Sequence, residues 1–505
     1  MQKNKFSKFL RNIKRIKNFK RKIAIIGGGF AGISAAIHSV NRGFSVTLFE
    51  AGHHLGGRAK SLNPQKIQIP PVPPPPNANT KNSWAMDNGQ HILLGAYSQT
   101  FRLLDLLEID IDKTLTKLPF ALISADSGVA MHLENHSENN KKISARQAYK
   151  LKLQMLQNAI GINDVEKSLF QKYLQKIKTK SLLKKFKIFN FFLKNKYPTV
   201  YENLLPHFQN NENCNVLRYI LFPLCLASMN THPLDADSDV FDNVLANSFC
   251  NFSDKNSCDI LIPKTGLSDL FAEPAHFWLE QNDAQIFTRC RIGNIAYEKN
   301  NGWFLSNADG TFPEYFDSVI IATSPQHCLD LLNNSEIAVN FDDQNLSSEA
   351  VGTLYFSFNR CLNFPDALIY LEQPFPSWLI HHGEANYSVV FSGSGAWQSA
   401  WNDNLENLRS SYIEKLLQMH KNSLPEDSAD RKKLPYLEFQ RAVHMPRATL
   451  SCRKENTKLF SNILARSKQK MPLKNLYFCG DYVYTAFPNT LESAIRSGIE
   501  VAKKI

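Results

Sequence analysis

The sequence predicts an α/β protein built on a doubly wound parallel sheet, with an α+β domain inserted into it. Three observations lead to this fold class. A strand, a glycine-rich turn, a helix and a second strand follow one another within residues 22–50. An apolar strand recurs at 318–322, and another at 475–479 precedes a helix that begins near residue 490. Such separated pieces form one sheet when the chain leaves it and later returns.

The first turn carries glycines at the spacing of a dinucleotide-binding loop. Gly27, Gly29 and Gly32 form the pattern G-x-G-x-x-G between a buried strand and a helix. Gly27 permits the tight turn, Gly29 lets the backbone approach a pyrophosphate, and Gly32 allows close packing of helix on strand. Glu50 ends the second strand, where its carboxylate would accept hydrogen bonds from ribose hydroxyls and disfavour a 2′-phosphate. The unit is therefore Rossmann-like.

A second motif follows Glu50 and distinguishes between nicotinamide and flavin cofactors. After Glu50 the chain reads Leu55, Gly56, Gly57 and Arg58. A plain NAD dehydrogenase has no need for this motif, whereas the run resembles the flavin amine oxidoreductase superfamily, which includes amine oxidases and carotenoid desaturases. In that superfamily the two glycines let the backbone pass close to the diphosphate, and the arginine adds positive charge. The resemblance implies FAD.

A third motif lies near the C-terminus. The strand there ends in Gly480 and Asp481, ahead of a helix that begins near Thr490 and Leu491. The pattern resembles the C-terminal FAD signature of the same superfamily. In that signature the aspartate caps donors near the ribitol and diphosphate, and the N-terminus of the helix faces the pyrimidine edge of the flavin. Motifs spread over most of the chain thus bracket one cofactor.

Residues 87–97, which read D-N-G-Q-H-I-L-L-G-A-Y, sharpen the resemblance. This run is similar to the hallmark of the hydroxysqualene dehydroxylase family, also called squalene-associated FAD-dependent desaturases. Further matching stretches lie at 222–231, 261–264, 447–452 and 480–498. The resemblance covers residues 22–502 and implies a Rossmann-like FAD-binding domain of the amine oxidase/phytoene desaturase type with an inserted α+β substrate domain.

Within the C-terminal signature the chain departs from this family at two positions. The family usually reads Tyr-Pro-Ala-Thr-Leu-Glu-Gly there, whereas this chain reads Phe-Pro-Asn-Thr-Leu-Glu-Ser. Asn489 and Ser493 are therefore bulkier than their counterparts, close to where the flavin ring is expected. These substitutions bear on substrate fit and rate.

The sequence and the resemblance together predict a domain organisation, in which the basic leader and the proline-rich insertion are foreign to the family. The segments are a basic, amphipathic leader (1–21), a first FAD-binding segment (22–100) with a proline-rich insertion (62–82), a helical substrate domain (101–234), a second FAD-binding segment (235–340), a substrate-domain sheet (341–445) and a third FAD-binding segment (446–505).

The reaction that the resemblance implies is reductive. Hydroxysqualene, an allylic C30 alcohol, loses its hydroxyl and becomes squalene, a precursor in hopanoid and triterpenoid biosynthesis. Hydroxide is a poor leaving group, so a general acid is expected to protonate it. His91 and Asp87 are the candidates, with His91 as the acid and Asp87 orienting it or contacting the cofactor. Glu492 and Arg447 rank behind them, since each is expected in a structural ion pair.

The partners follow from the substrate and from the charge distribution. The net charge is +12, but the first 22 residues hold ten Lys and Arg, and residues 167–196 hold ten Lys, with no acidic residue in either segment. The rest of the chain has no excess of basic residues that would form a nucleic-acid-binding face, which argues against nucleic acid as a partner. An apolar polyprenoid substrate and two basic segments favour an anionic membrane surface. We therefore expect a cytoplasmic protein peripherally associated with the inner membrane.

Alternatives remain open for the leader and for the redox chemistry. The leader fits an interfacial helix, a disordered basic segment or, less well, a mitochondrial presequence. No second dinucleotide motif is present, so the sequence does not identify the external electron donor. The nine cysteines form no C-x-x-C pair, and neither a zinc site nor a disulfide framework is predicted.

Three rival functions use the same fold. A carotenoid or phytoene desaturase would act on a similar long substrate in the oxidative direction, and the D-N-G-Q-H run argues against it. An amine oxidase would need acidic or aromatic groups to receive an ammonium. A lipid-binding flavoprotein without turnover is the non-enzymatic alternative, which the residues at 489 and 493 keep open.

Overall fold

The computed structural model describes residues 20–62, 86–133, 144–185, 195–251, 254–337, 346–456, 475–483 and 486–505. Nearly all of the predicted leader and of the proline-rich insertion lies outside the described residues, as does a portion of the second lysine-rich stretch.

The described residues contain strands and helices with the following bounds. The strands are Lys22–Ile26 (β1), Ser45–Phe49 (β2), Leu93–Leu94 (β3), Leu115–Leu118 (β4), Ala121–Ser124 (β5), Ala130–His132 (β6), Ile260–Pro263 (β7), Gln285–Phe287 (β8), Asn294–Glu298 (β9), Gly302–Asn307 (β10), Gly310–Thr311 (β11), Ser318–Ile321 (β12), Ser348–Phe358 (β13), Leu368–Leu371 (β14), Ser377–His381 (β15), Asn386–Ser392 (β16), Leu437–Leu450 (β17) and Leu476–Phe478 (β18). The helices are Phe30–Asn41 (α1), Ser98–Leu106 (α2), Ile111–Thr114 (α3), Ala145–Gln157 (α4), Asp164–Lys185 (α5), Val200–Leu204 (α6), Phe222–Met229 (α7), Ser238–Asn247 (α8), Glu273–Gln281 (α9), Pro325–Asn334 (α10), Ala396–Asp403 (α11), Leu405–Asn422 (α12), Ala429–Lys432 (α13) and Leu491–Lys504 (α14).

The first sheet is parallel and has the strand order β18-β12-β1-β2-β8. Ile25 pairs with Leu48 on one side and with Ile320 on the other, and all three side chains are fully buried. Alternate residues of these strands point to opposite faces. One face packs on α1, α9 and α14, and the other on α10 and the small sheet of β9–β11. Both faces are covered, which confirms the predicted doubly wound α/β domain.

Helices α1 and α14 lie in close contact against this sheet. A Cβ atom on Gly498 would lie 2.4 Å from the Ala31 carbonyl oxygen, and the Ser34 hydroxyl donates to the Ile495 carbonyl at 2.8 Å. Only a residue without a side chain lets the two backbones approach this closely. The contact joins the first and the last cofactor-binding segments of the chain.

The second large sheet is mixed, with the order β17-β13-β16-β15-β14-β5-β6. Neighbours are antiparallel except β14 and β5, which are parallel. One face packs on α11 and α12, and the other on the helical layer that includes α5 and α8. Segment 101–234, for which the sequence favours mostly helices, also contributes β4, β5 and β6. Leu122 and Met131 pair in this sheet and are buried, so sheet packing decides the conformation of this stretch.

A three-stranded antiparallel sheet, β3-β7-β4, holds the stretch that follows the D-N-G-Q-H run. Leu93 pairs with Leu261, so two of the family-like stretches meet here. A Cβ atom on Gly95 would overlap the Asn256 carbonyl oxygen at 1.7 Å, which leaves room only for glycine. Within the described ranges, none of the helices has the length and apolarity to cross a bilayer.

Candidate active site

A cavity of about 1010 Å³ lies where the two large sheets approach each other. Its lining includes nearly all of the predicted cofactor residues: Gly27, Gly29, Glu50, Gly56, Gly57, Arg58, Gly480, Asp481, Thr490 and Leu491. His91 also lines it, whereas Gly32 and Asp87 lie behind the lining. The cavity is at the upper end of the size range of small-molecule sites, which suits a large cofactor together with a substrate.

The glycines perform different tasks in the wall. Gly27 has φ +111°, and a Cβ atom there would lie 2.6 Å from the Ala322 carbonyl oxygen. Gly32 sits behind it, where a Cβ atom would overlap the Gly27 carbonyl oxygen at 1.9 Å. Gly57 has φ +62°, and a Cβ atom there would lie 3.0 Å from the Gly29 Cα. Gly29 and Gly56 form a parallel β-bridge. The two glycine-rich motifs thus form one cradle.

Glu50 accepts hydrogen bonds from backbone N–H groups of this cradle. Its Oε2 accepts the Gly28 N–H at 2.7 Å, and its Oε1 accepts the Gly52 N–H at 2.6 Å. In the structure the carboxylate therefore orders the turn around it. A carboxylate oxygen can accept more than one hydrogen bond, so these contacts leave capacity for ribose hydroxyls.

The cradle fits the diphosphate of a dinucleotide. A Cβ atom on Gly29 would project into open space, with nothing nearer than the Gly57 Cα at 3.9 Å. Helix α1 begins directly after Gly29 with no side-chain cap and no acidic residue in its first turn. The free N–H groups and positive dipole end of such a helix favour a phosphate. An open glycine beside an uncapped helix start is what a pyrophosphate requires.

Arg58 and Asp481 are joined directly. Nη2 of Arg58 lies 2.7 Å from both carboxylate oxygens of Asp481, and Nη1 donates to the Ala448 carbonyl at 2.8 Å. The Asp481 carboxylate also accepts the Tyr482 N–H at 3.1 Å. The sequence predicts these two residues at opposite ends of one cofactor but not that they bond to each other. Their contact joins the first and the third of the predicted FAD-binding segments.

Glu492 is a structural group, as its second rank among the candidates anticipated. It is 1% exposed and accepts the backbone N–H of Thr100 at 2.8 Å and of Gln99 at 3.1 Å. It also pairs with Arg496 at 2.7 Å. The carboxylate therefore caps α2 from α14 and fixes the loop before α2 beside Thr490.

Asp87 and His91 occupy the loop between the cradle and the second sheet. Asp87 is 4% exposed, and its Oδ1 accepts the Leu267 N–H and the Ser61 hydroxyl, each at 3.0 Å. Its backbone carbonyl accepts the Tyr355 hydroxyl at 2.9 Å. Its Oδ2 faces His91 Nδ1 at 4.0 Å, which is longer than a hydrogen bond.

Burial displaces the two pKa values in opposite directions. Desolvation raises the pKa of the Asp87 carboxyl above its usual value, while His91, the Leu267 N–H and the Ser61 hydroxyl oppose this. Desolvation lowers the pKa of the His91 imidazole, and the Asp87 charge opposes this. The imidazole is therefore neutral over most of the physiological range, and it acquires a proton as the pH falls.

The second sheet lines the cavity with several apolar side chains, together with Ser348, Ser392, Arg447 and Thr449. A Cβ atom on Gly89 would lie 3.6 Å from Met445 Sδ and 3.8 Å from Val351 Cγ1, so the loop touches the second sheet. The same sheet contributes further lining side chains, namely Leu368, Trp378, Ile380 and Val390. Among the described residues that line the cavity, the carboxylates are Glu50, Asp330 and Asp481, all on the nucleotide-binding segments. The substrate side of the cavity thus has no anionic group for a cation.

Several site residues make contacts that the sequence does not predict. Ser61 and Tyr355 hold Asp87 without belonging to a recognisable motif, and Asn230, within the family-like stretch 222–231, bonds to Thr449 on the wall. Asn230 has φ 49° at the end of α7, a conformation that asparagine tolerates better than most residues. Arg447, the other second-rank candidate, lines the cavity with an exposed side chain.

A family model described as "Flavin containing amine oxidoreductase" matches residues 30–505. The chain belongs to this family. FAD is accordingly its cofactor. A hydroxysqualene dehydroxylase of Sinorhizobium fredii is 22% identical over 490 residues, which cover 95% of this chain and 97% of that protein.

Solved structures show the same fold. A putrescine oxidase variant with redesigned cofactor binding has a TM-score of 0.58 at 12% identity, covering 96% of this chain and 98% of that one. An oxidoreductase from Methanosarcina mazei has a TM-score of 0.58 at 13% identity, covering 95% and 100%. At such identities the likeness concerns the fold of this FAD-dependent oxidoreductase family and not the substrate.

Proposed function

We propose that this flavoprotein catalyses the reductive dehydroxylation of hydroxysqualene to squalene, a step towards hopanoids and other triterpenoids. A hydride replaces the hydroxyl on the allylic carbon, and the hydroxyl leaves as water after taking up one proton. Bound reduced FAD would supply the two electrons as the hydride, and an external donor would reduce the flavin again.

The observation that carries the proposal is the side of the cavity that the second sheet forms beside the D-N-G-Q-H loop, where the described lining residues are mostly apolar and include no carboxylate. Val351, Trp378 and Met445 are among its side chains. A hydrocarbon gains roughly 25 cal/mol for each Å² removed from water, so such a wall suits a long polyprenoid. Among the described lining residues on this side, the ammonium group of an amine substrate would find no anionic partner, and Trp378 is the aromatic side chain there. The full-length similarity to a hydroxysqualene dehydroxylase supports the same substrate class.

His91 is the proposed proton donor. It is the ionisable side chain on the stretch of the loop that lines the cavity, whereas Asp87 lies behind the lining. Because Oδ1 of Asp87 already accepts the Leu267 N–H, Oδ2 faces His91 and favours the protonated imidazole. Of the two roles expected for Asp87, these contacts favour orienting His91 over contacting the cofactor.

The chain's own residues also keep water from the reacting carbon. The wall side chains Trp378 and Ile380 are 3% and 2% exposed, and Met229 contributes to the same lining at 2%. A dry apolar surround allows allylic cation character to develop on the carbon while bulk water, the competing nucleophile, is excluded. This arrangement protects the product-forming step against return of the hydroxyl.

The apolar substrate is proposed to come from a membrane surface. The two basic segments would bring the protein to anionic lipids, with roughly 1 kcal/mol for each Lys or Arg near the surface. Helix α5 presents exposed Leu182 and Leu183 on the same helix as exposed Lys172 and Lys176. Exposed leucines beside lysines suit an interface between water and lipid.

An anaerobic single-turnover experiment tests the proposal. The purified flavoprotein is reduced with dithionite, freed of excess reductant and mixed with hydroxysqualene. Flavin reoxidation is followed by absorbance, and squalene by mass spectrometry. We expect one squalene for each flavin reoxidised. Flavin that stays reduced, followed by desaturation when oxidised enzyme meets a more saturated polyprenoid, would identify a phytoene-type desaturase instead.

A further inference from the structure

Strand β17 forms one wall of the cavity and is also an edge strand. It pairs with β13 on one side, and within the part of the chain that the structure describes it is the terminal strand of the sheet. Ser451 N–H donates back to the Ser347 carbonyl at 2.9 Å, on the β13 side. Backbone groups alternate in direction along a strand, so the carbonyl of Leu450, which pairs with Ser348, points away from β13. Ala448 lies where the register between β13 and β17 shifts, and its carbonyl accepts a hydrogen bond from outside the sheet. An edge strand leaves such carbonyls in need of partners.

Two side chains from distant regions of the sequence supply these partners. Nη1 of Arg58 donates to the Ala448 carbonyl at 2.8 Å. Nδ2 of Asn489 donates to the next outward carbonyl, that of Leu450, at 2.6 Å. Arg58 belongs to the second cofactor motif, and Asn489 directly precedes Thr490, which caps α14. The open edge of β17 is thus completed by one donor from each end of the cofactor site.

We propose that Asn489 is a positioning residue of the flavin site. Together with Arg58 it completes the edge of β17, and so holds the cavity wall in register with the cofactor-binding segments. The proposed positioning depends on the side-chain amide N–H of Asn489, which donates to the Leu450 carbonyl. Alanine, which stands here in the resembling family, would leave the Leu450 carbonyl without this donor.

Ser493, the other residue that departs from the family pattern, is also committed to a backbone carbonyl. It is fully buried, and its hydroxyl donates to the Pro488 carbonyl at 2.5 Å. It does not line the cavity, whereas Asn489 does. The two larger side chains therefore reinforce the loop before α14. Of the two residues, only Asn489 therefore has a cavity-facing position.

The inference depends on FAD binding, which belongs to the family, and not on the proposed substrate. Its test compares Asn489→Ala and Asn489→Asp with the parent protein, each stripped of flavin and titrated with FAD. Both variants lack the N–H donor at neutral pH, and aspartate keeps the shape of asparagine. One hydrogen bond of ordinary strength corresponds to a roughly three- to tenfold change in an equilibrium constant. We expect FAD affinity to fall by about that factor in both variants.

A second readout reports on position and not on affinity alone. The visible circular dichroism of bound flavin depends on how the protein surrounds the ring, and we expect both variants to change it at saturating FAD. Asn215→Ala is the matched control, because it removes a similar amide-to-carbonyl bond, to Gly161 at 2.8 Å, remote from the cavity lining. That variant should leave both readouts unchanged.

Two results would overturn the proposal. Parent-like FAD affinity and flavin dichroism in Asn489→Asp would show that the N–H donor is not needed, even if Asn489→Ala folds poorly. Equal losses in Asn489→Ala and Asn215→Ala would show a general loss of stability with no special role for position 489.

Discussion

The proposed proton transfer depends on two residues at different depths, His91 and Asp87. His91 lines the cavity, and Asp87 is held behind it by Ser61 and the Leu267 backbone. Burial lowers the pKa of His91, and the carboxylate 4.0 Å away counteracts some of that fall. The proton-donating imidazolium is therefore scarce at neutral pH, and its supply depends on the charge of Asp87.

This arrangement predicts the pH dependence of turnover. The wild-type rate should fall as the pH rises, because His91 loses its proton. Asp87→Asn keeps the acceptor oxygen for Ser61 and Leu267 but removes the charge that raises the His91 pKa. The descending limb should then move to lower pH. His91→Gln should lose roughly 10²–10⁴-fold in rate together with the limb, as measured by single-turnover rates between pH 5 and about 9.

The control for that series is His276→Gln, on α9, where the imidazole pairs with Glu280 at 3.3 Å and does not line the cavity. It should retain the wild-type profile. Near-normal turnover by His91→Gln with a full complement of FAD would exclude His91 as the acid.

Among the secondary-structure elements, those with strong local signals are the ones that the sequence predicts well. The strands at residues 22–26 and 45–49 are β1 and β2 as expected, because apolar runs bounded by glycine turns suit a sheet buried on both faces. The sequence does not predict β4, β5 and β6, since they are short and owe their conformation to distant pairing with β7 and β14. The Arg58–Asp481 bond and the donors on the edge of β17 also join residues that are far apart in the sequence, so no local pattern predicts them.

The packing of α14 on α1 gives a prediction at the element scale. Gly→Ala inside an exposed helix usually stabilises by about 1 kcal/mol. At Gly498 the added Cβ would lie 2.4 Å from a backbone oxygen of α1, which cannot move aside as a side chain can. Gly498→Ala should therefore destabilise the protein by about 1–3 kcal/mol, seen as a lower thermal midpoint.

Gly293→Ala is the matched control, because a Cβ there has nothing within 4 Å. Its thermal midpoint should stay close to that of the parent. An unchanged or higher midpoint for Gly498→Ala would show that the two helices are not in the close contact described here.

At the scale of the whole molecule, the chain passes three times through the cofactor site. Residues near its start, its middle and its end line one cavity, through Gly27, Ala322 and Gly480. The sheet of β13–β17 then covers that site with an apolar wall. Resemblance of motifs predicts the cofactor well, because glycine cradles have recognisable spacing. The side chains of the β13–β17 wall follow no recognisable sequence spacing, so the sequence does not predict which of them line the cavity.

The central claim is that a hydride replaces the hydroxyl of the substrate, and a single turnover in D₂O tests it most directly. The hydrogen on N5 of a reduced flavin exchanges with solvent, so hydride transfer in D₂O delivers deuterium to carbon. We predict that hydroxysqualene is converted to squalene carrying one deuterium at the carbon that bore the hydroxyl. Squalene without deuterium, or substrate recovered unchanged while the flavin stays reduced, would contradict the account.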